Sequence, residues 1–266
     1  MAIRESGNPP RYAARAATLA LSAVVAAGYG GAAAHAGTAP AADAPAAHSA
    51  STARSAPAAA AVWPGAEAAD LLHRGDSGAE VVRLQERLRE LGYWVGPADG
   101  EFQDLTVQAV YAAQKAAGIG RDGVVGPDTR AALDEGVRPS ATSGSGDVVE
   151  IDLERQLLLV VSDGEVRQVF NTSTGSGESY ESRGQQQVAV TPTGEYSVFR
   201  QVDAWDPGPL GSLYRPKYFN GGIAVHGYSS VPPYPASHGC ARVSIAAMDW
   251  LWENGSLDHG TPVIVR

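Results

Sequence analysis

Ser237-His238-Gly239-Cys240-Ala241-Arg242 holds the only cysteine of a 266-residue chain. Exported proteins use cysteines in pairs, because an oxidising compartment turns them into disulfides. The N-terminus of this chain reads as an export signal, so its lone thiol is either a small buried residue or a reactive group. The glycine directly before Cys240 and the histidine before that favour reactivity. A second histidine ends the apolar run Gly221-Gly222-Ile223-Ala224-Val225-His226-Gly227, which predicts a strand delivering an imidazole.

These residue types define a chemistry. A free thiol has a pKa of about 8.5 and is mostly protonated at neutral pH, whereas the thiolate is the nucleophile. A nearby imidazole can take the proton and leave an ion pair, provided that a third group fixes its ring. His238 lies two residues before Cys240 and points along the same backbone, which suits it to shaping the turn. His226 comes from a separate strand and can approach across the site. Gly239 lets the backbone come close, so that its N–H and that of Cys240 can stabilise an oxyanion. Arg242 is a fixed cation able to grip a substrate carboxylate, or else to pair with an internal one such as Asp249. Ser237 suits orienting the loop by hydrogen bonding. Zinc held by His226, His238 and Cys240 is the weaker alternative, lacking a recognised spacing and a fourth ligand. Tyr214, Tyr218, Tyr228 and Tyr234 either line a groove or belong to the core.

Outward from this site the flanking sequence is mostly β. Val148 to Leu153, Gln156 to Val161 and Val166 to Thr172 predict a meander, with a turn at Ser162-Asp163-Gly164-Glu165. Thr191-Pro192-Thr193-Gly194 leads into another strand, and Thr261 to Val265 closes the chain as a strand. One helix is predicted here, from Ile245 to Trp252, with Trp250 and Leu251 on the sheet. The alternating pattern of a doubly wound fold is missing.

Residues 68–136 read differently. Val81, Leu84, Leu88 and Leu91 mark one face of a helix, with Gly92 at its C-terminal end. Asp99-Gly100 and Asp122-Gly123 mark tight turns. Between them Asp104 can cap a helix carrying Val107, Val110 and Tyr111, and Gly126-Pro127 opens a third. The small residues of 137–146 predict a flexible linker.

At the N-terminus, Arg4, Arg11 and Arg15 precede an apolar run from Ala16 to Ala27 and the small-x-small pattern Ala34-His35-Ala36. Residues 1–36 are therefore expected to be a signal peptide. Its apolar run is shorter than the roughly 20 residues of a membrane span, so no transmembrane anchor is expected after cleavage. Residues 37–66, almost all Ala, Pro, Ser, Thr and Gly, predict a disordered linker. Cleavage would make the formal charge of −9 more negative still, which argues against nucleic acid as a partner.

Two resemblances follow. Gly75, Gly78, Val81, Leu84-Gln85, Leu88, Leu91-Gly92-Tyr93, Asp99-Gly100-Glu101-Phe102, Thr106, Ala109-Val110, Gln114, Asp122-Gly123-Val124-Val125-Gly126, Thr129 and Leu133 fall in the order of the peptidoglycan-binding domain type 1 family, which residues 67–136 resemble. Ala113 departs from it, standing where that family usually has an aromatic residue. His226-Gly227 with Ser237-His238-Gly239-Cys240, together with Thr191 to Gly194 and Tyr218 to Ile223, resembles the L,D-transpeptidase (YkuD-type) catalytic domain over residues 147–266. Arg242 stands where many members of that family have asparagine, and the Tyr228 to Ala236 stretch is short and proline-rich.

The resemblances imply two domains, a small three-helix bundle and a mostly-β catalytic domain with one short helix after the cysteine. They imply Cys240 as nucleophile, His226 as general base, Gly239 as backbone oxyanion donor and His238 as a supporting residue. Arg242, Ser237, Gly227 and Tyr218 fall on the substrate side. The partners implied are peptidoglycan stem peptides and glycan strands, with no metal or cofactor required. The implied reaction is a crosslink between third-position residues of two stems through a thioester. Trimming of tetrapeptide stems by an L,D-carboxypeptidase, or a non-catalytic wall-binding scaffold, are the alternatives. A papain-like or NlpC-type peptidase fits less well, since its histidine follows its cysteine in the chain.

Overall fold

The spacing of Val81, Leu84 and Leu88 buries one face of α1 (Ala79–Glu90), and Gly92 follows its Leu91 C-cap. This computed structural model describes residues 71–266, so the predicted signal peptide and the 37–66 linker lie outside the described residues. All the described residues fall within one compact unit. No helix among them is long and apolar enough to cross a membrane.

Two further helices complete the module, α2 (Asp104–Ala117) and α3 (Pro127–Asp134), with Pro127 in the first turn as expected. Asp104 is not a cap. Gln103 occupies that position, and Asp104 is the first helical residue, where its charge suits the helix dipole and it pairs with Arg74. The two Asp-Gly turns are built alike around a buried glutamine. Gln85 accepts from the Gly100 N–H and donates to Asp99 and Thr106, while Gln114 accepts from the Gly123 N–H and donates to Asp122 and Thr129. Each glutamine satisfies the polar groups that a tight turn would otherwise leave unpaired.

The β domain contains two five-stranded sheets. The first has the order β3-β2-β1-β12-β6, from β1 (Asp147–Asp152), β2 (Leu157–Ser162), β3 (Glu165–Asn171), β6 (Gly194–Ser197) and β12 (Pro262–Val265). The predicted meander is its first half. β2 is apolar at successive positions because both of its faces are covered. Leu157, Leu159 and Val161 pack with the helical module, while Leu158 joins Val149, Ile151 and Phe170 in the core of the β domain. The helices are thus a layer on this sheet rather than a separate bead.

The second sheet runs β11-β10-β9-β7, from β7 (Arg200–Gln201), β9 (Gly211–Asn220), β10 (Ile223–Tyr228) and β11 (Ala241–Ser244), with β8 (Trp205–Gly208) also paired to β9. A separate hairpin joins β4 (Ser179–Ser182) to β5 (Gln185–Val188). The predicted helix is α4 (Ile245–Glu253), capped by Ser244, whose Oγ accepts from the Ala247 N–H. Leu251 is buried in the core and Trp250 packs on Phe170.

Residues 137–146 are held by specific bonds, contrary to the flexible linker that their composition predicts. The buried Glu150 carboxylate accepts from the Thr142 and Ser143 N–H groups, and the Ser143 hydroxyl donates to it at 2.8 Å. Arg138 donates to the Val166 carbonyl, and the Tyr93 hydroxyl donates to that of Val137 at 2.7 Å.

Candidate active site

β10 and β11 run parallel, joined by the helix-free segment 229–240, and this places the predicted site residues. Val225 pairs with Ala241 and His226 with Arg242, so Cys240 arrives beside Ala224. Strand alternation sends Val225, Ala241 and Val243 into the core and puts Ala224, His226, Cys240 and Arg242 together on the opposite face. Cys240 and His226 therefore lie on one face of neighbouring strands.

His226 is 2% exposed, and its Nδ1 lies 2.9 Å from the Gly227 carbonyl. A carbonyl only accepts, so Nδ1 carries the proton and Nε2 keeps a free lone pair. The third group that fixes the ring is thus its own neighbour's backbone. Burial pushes the His226 pKa down to about 4; the Gly227 bond opposes this shift, and Arg242 adds to it. Burial pushes the Cys240 thiol up, against the Ala224 N–H and the Arg242 charge. Both shifts favour the neutral thiol and imidazole over an ion pair. The sulfur sits 3.9 Å from the Gly222 carbonyl.

Three predicted roles change, and the rival reading of Arg242 falls away. The Gly239 N–H is already donated to Ser237 Oγ at 3.0 Å, which leaves the N–H of Cys240 itself as the oxyanion donor to consider. Gly239 is required for another reason: at φ +140° a Cβ there would lie 2.9 Å from the Val190 carbonyl. Ser237 is buried and donates to the Cys240 carbonyl at 2.6 Å, so it ties the loop and does not reach substrate. Gly227 faces the core, where a Cβ would meet Tyr214 at 2.7 Å; its part is the carbonyl that holds His226. Arg242 does not pair with Asp249, which is taken by Tyr214 and Arg215. Its guanidinium stacks on Tyr228 at 4.2 Å and donates to the Ala236 carbonyl, with Nε buried and unpartnered. The three prospective zinc donors do not gather, and no metal-ligand cluster occurs among the described residues.

A cavity of about 670 Å³ opens over the thiol, lined by Cys240, His238, Tyr180, Val190, Leu210 and Tyr218 among others. His238 is exposed and packs edge-on against Tyr180 of β4, at a ring separation of 4.6 Å. Tyr218 forms a wall: its hydroxyl donates to Asp206, Arg200 covers its ring, and burial followed by the Asp206 bond raises its pKa to about 12. A larger cleft of about 1440 Å³ beside Trp94 and Trp250 has neither thiol nor imidazole in its lining. Thr191 is a further site residue, for which sequence reasoning supplied a motif but no role. Its hydroxyl donates to the Gly239 carbonyl at 2.6 Å and accepts from the Gly175 N–H.

Residues 146–265 match the L,D-transpeptidase catalytic domain family, YkuD, and residues 77–133 match the peptidoglycan binding domain family. A solved L,D-transpeptidase fragment from Xylanimonas cellulosilytica is 53% identical, with a TM-score of 0.73 over 74% of this chain and 98% of that one. The chain belongs to the L,D-transpeptidase family. An L,D-transpeptidase structure from Stackebrandtia nassauensis is 25% identical over 73% of this L,D-transpeptidase and 94% of that chain, with a TM-score of 0.44. Among curated proteins, the N-acetylmuramoyl-L-alanine amidase CwlL of Bacillus licheniformis is 48% identical over 65 residues, 24% of this L,D-transpeptidase and 18% of the amidase. The amidase CwlM of Mycobacterium tuberculosis is 39% identical over 56 residues, 21% and 14% of the two chains. The L,D-transpeptidase thus spans under a fifth of the length of these two amidases, and the amidase names attach to the peptidoglycan-binding region.

Proposed function

We propose that this protein is an exported cell-wall enzyme that crosslinks third-position residues of peptidoglycan stem peptides through a thioester on Cys240. The observation that carries the reading is the shared face of β10 and β11, which bears a tautomer-fixed imidazole, a guanidinium and a thiol that lines an open cavity. As Cys240 Sγ attacks the carbonyl of the third residue of a tetrapeptide donor, its proton passes to Nε2 of His226. The Cys240 N–H receives the oxyanion, and the imidazolium then protonates the departing D-alanine amine. The side-chain amine of the third residue on a neighbouring stem attacks the thioester, His226 takes up the amine's proton, and the thiol is regenerated. Arg242, with Nε unpartnered and no claim on Asp249, supplies a cation for a donor carboxylate. Residues 67–136 hold the enzyme to the glycan–peptide mesh.

Intact-mass measurement after meropenem treatment tests the nucleophile: wild type gains one adduct and Cys240→Ser none. Incubation with disaccharide tetrapeptides tests the reaction. The expected product is a crosslinked dimer lacking one alanine; a product trimmed of alanine, without any dimer, would indicate the carboxypeptidase reaction instead. Wild type that forms neither adduct nor product would leave only the wall-binding role.

A further inference from the structure

Segment 229–240 must bring Cys240 to the edge of β10 without a helix of its own; backbone bonds to Thr174 and Ser176 hold its Ala236–Ser237 end, while Pro232, Pro233 and Pro235 deprive it of three N–H donors. Ser173 and Thr191 of the β domain donate to its Tyr234 and Gly239 carbonyls, and the helical module supplies side chains for others. Gln108 of α2 donates to the Val231 carbonyl at 3.0 Å, and Arg121, just after α2, donates to that of Pro233 at 3.3 Å. Asn171 also donates to the Val231 carbonyl, at 3.1 Å, and to Gln108.

Behind these contacts lies Lys115, a second α2 residue and only 1% exposed. Its amine is surrounded by the Gln156 carbonyl at 2.8 Å, the Thr172 carbonyl at 3.0 Å and the Asn171 side-chain oxygen. Gln156 holds a left-handed φ of +59°, costly for a residue with a Cβ, and its carbonyl also accepts from the Thr172 N–H. Thr172 in turn donates to the Arg242 carbonyl at 2.7 Å, and Ser173 exchanges backbone bonds with Arg242. Two hydrogen-bonded links therefore run from the module's amine to β11, two residues past the thiol.

Docking of the helical layer on β2 and β3 needs only apolar contact, and burying an amine there is costly. We propose that α2 of the peptidoglycan-binding module is a positioning element for catalysis, with Gln108, Lys115 and Arg121 as positioning residues that set the 229–240 segment and so the place of Cys240. This rests on the transpeptidase reading for the reaction it serves.

The test is acylation of the full chain by meropenem, with the maximal rate and the half-saturating concentration measured separately, beside the reaction of Cys240 with the small neutral reagent 4,4′-dithiodipyridine. Gln108→Ala and Lys115→Met are expected to lower the maximal rate about 10- to 100-fold, the cost of a misplaced nucleophile, with half-saturation unchanged. Disulfide exchange should accelerate as the thiol loses its enclosure. Tyr93→Phe, which removes a bond from the buried Tyr93 to the Val137 carbonyl just after α3 without touching the segment, should stay within about twofold of wild type in both assays. Folded Gln108→Ala and Lys115→Met with wild-type values in both assays would overturn the proposal, as would an equal fall in Tyr93→Phe. If Lys115→Met does not fold, Gln108→Ala decides. If wild type is not acylated, the transpeptidase reading fails, and the disulfide rates of the variants still decide whether α2 positions the thiol.

Discussion

At the residue scale the site turns on where two protons rest. Nδ1 of His226 is committed to the Gly227 carbonyl, and burial holds the ring pKa down to about 4. A base must be neutral to act, and a lowered pKa keeps it neutral further into acid. Acylation of Cys240 is therefore expected to stay flat from neutrality down to about pH 5 and to fall around pH 4. A stopped-flow pH profile with a fall centred near 6.5 would refute this. His226→Ala should slow acylation by about 100-fold or more, the usual worth of a general base. Gly239→Ala has nowhere to place its Cβ beside the Val190 carbonyl, so it should lose acylation and lower the melting temperature.

At the element scale the twin glutamine turns make a symmetrical prediction. Gln85→Ala and Gln114→Ala each strip a buried turn of its partners, which costs about 1–3 kcal/mol. At about 2–4 °C per kcal/mol for a unit of this size, calorimetry should find falls of several degrees in both variants. The sequence pattern foretold the helices, the meander, β10 and α4, because each carries a clean hydrophobic period or a capping signal. β4, β5, β8 and β9 carry no such signal. Gln185-Gln186-Gln187 is exposed throughout, and Asp206-Pro207-Gly208-Pro209 reads as a turn although part of it pairs with β9. Within the site, the motifs pointed to Cys240 and His226, which neighbouring strands carry on one face, but a motif says nothing about which N–H is already engaged. Gly239, Ser237 and Gly227 were therefore assigned to substrate or oxyanion when each has a partner inside the protein. Likewise, nothing in the small residues of 137–146 announces the Glu150 carboxylate that receives them.

At the scale of the whole molecule, the helical layer covers the face of the first sheet made by Leu157, Leu159, Val161 and Val169. A chain begun at residue 146 would present that face to water, and size-exclusion chromatography should find it aggregated rather than monomeric. Burial, followed by the Arg121 charge, pushes the Lys115 amine between the layers down to about 6. The unfolded chain then binds the extra proton between about pH 6 and its ordinary lysine value, so stability rises with pH across that window. The urea midpoint of wild type should climb from pH 6.5 to 8.5 more steeply than that of Lys115→Met. The burial that keeps Cys240 protonated has a consequence of another kind, for its lifetime. Peroxides and disulfides consume thiolates, and this chain has no second cysteine with which to reclaim an oxidised one. A nucleophile held as the thiol offers those oxidants less of the form they attack, which suits a single sulfur that nothing else in the chain can replace.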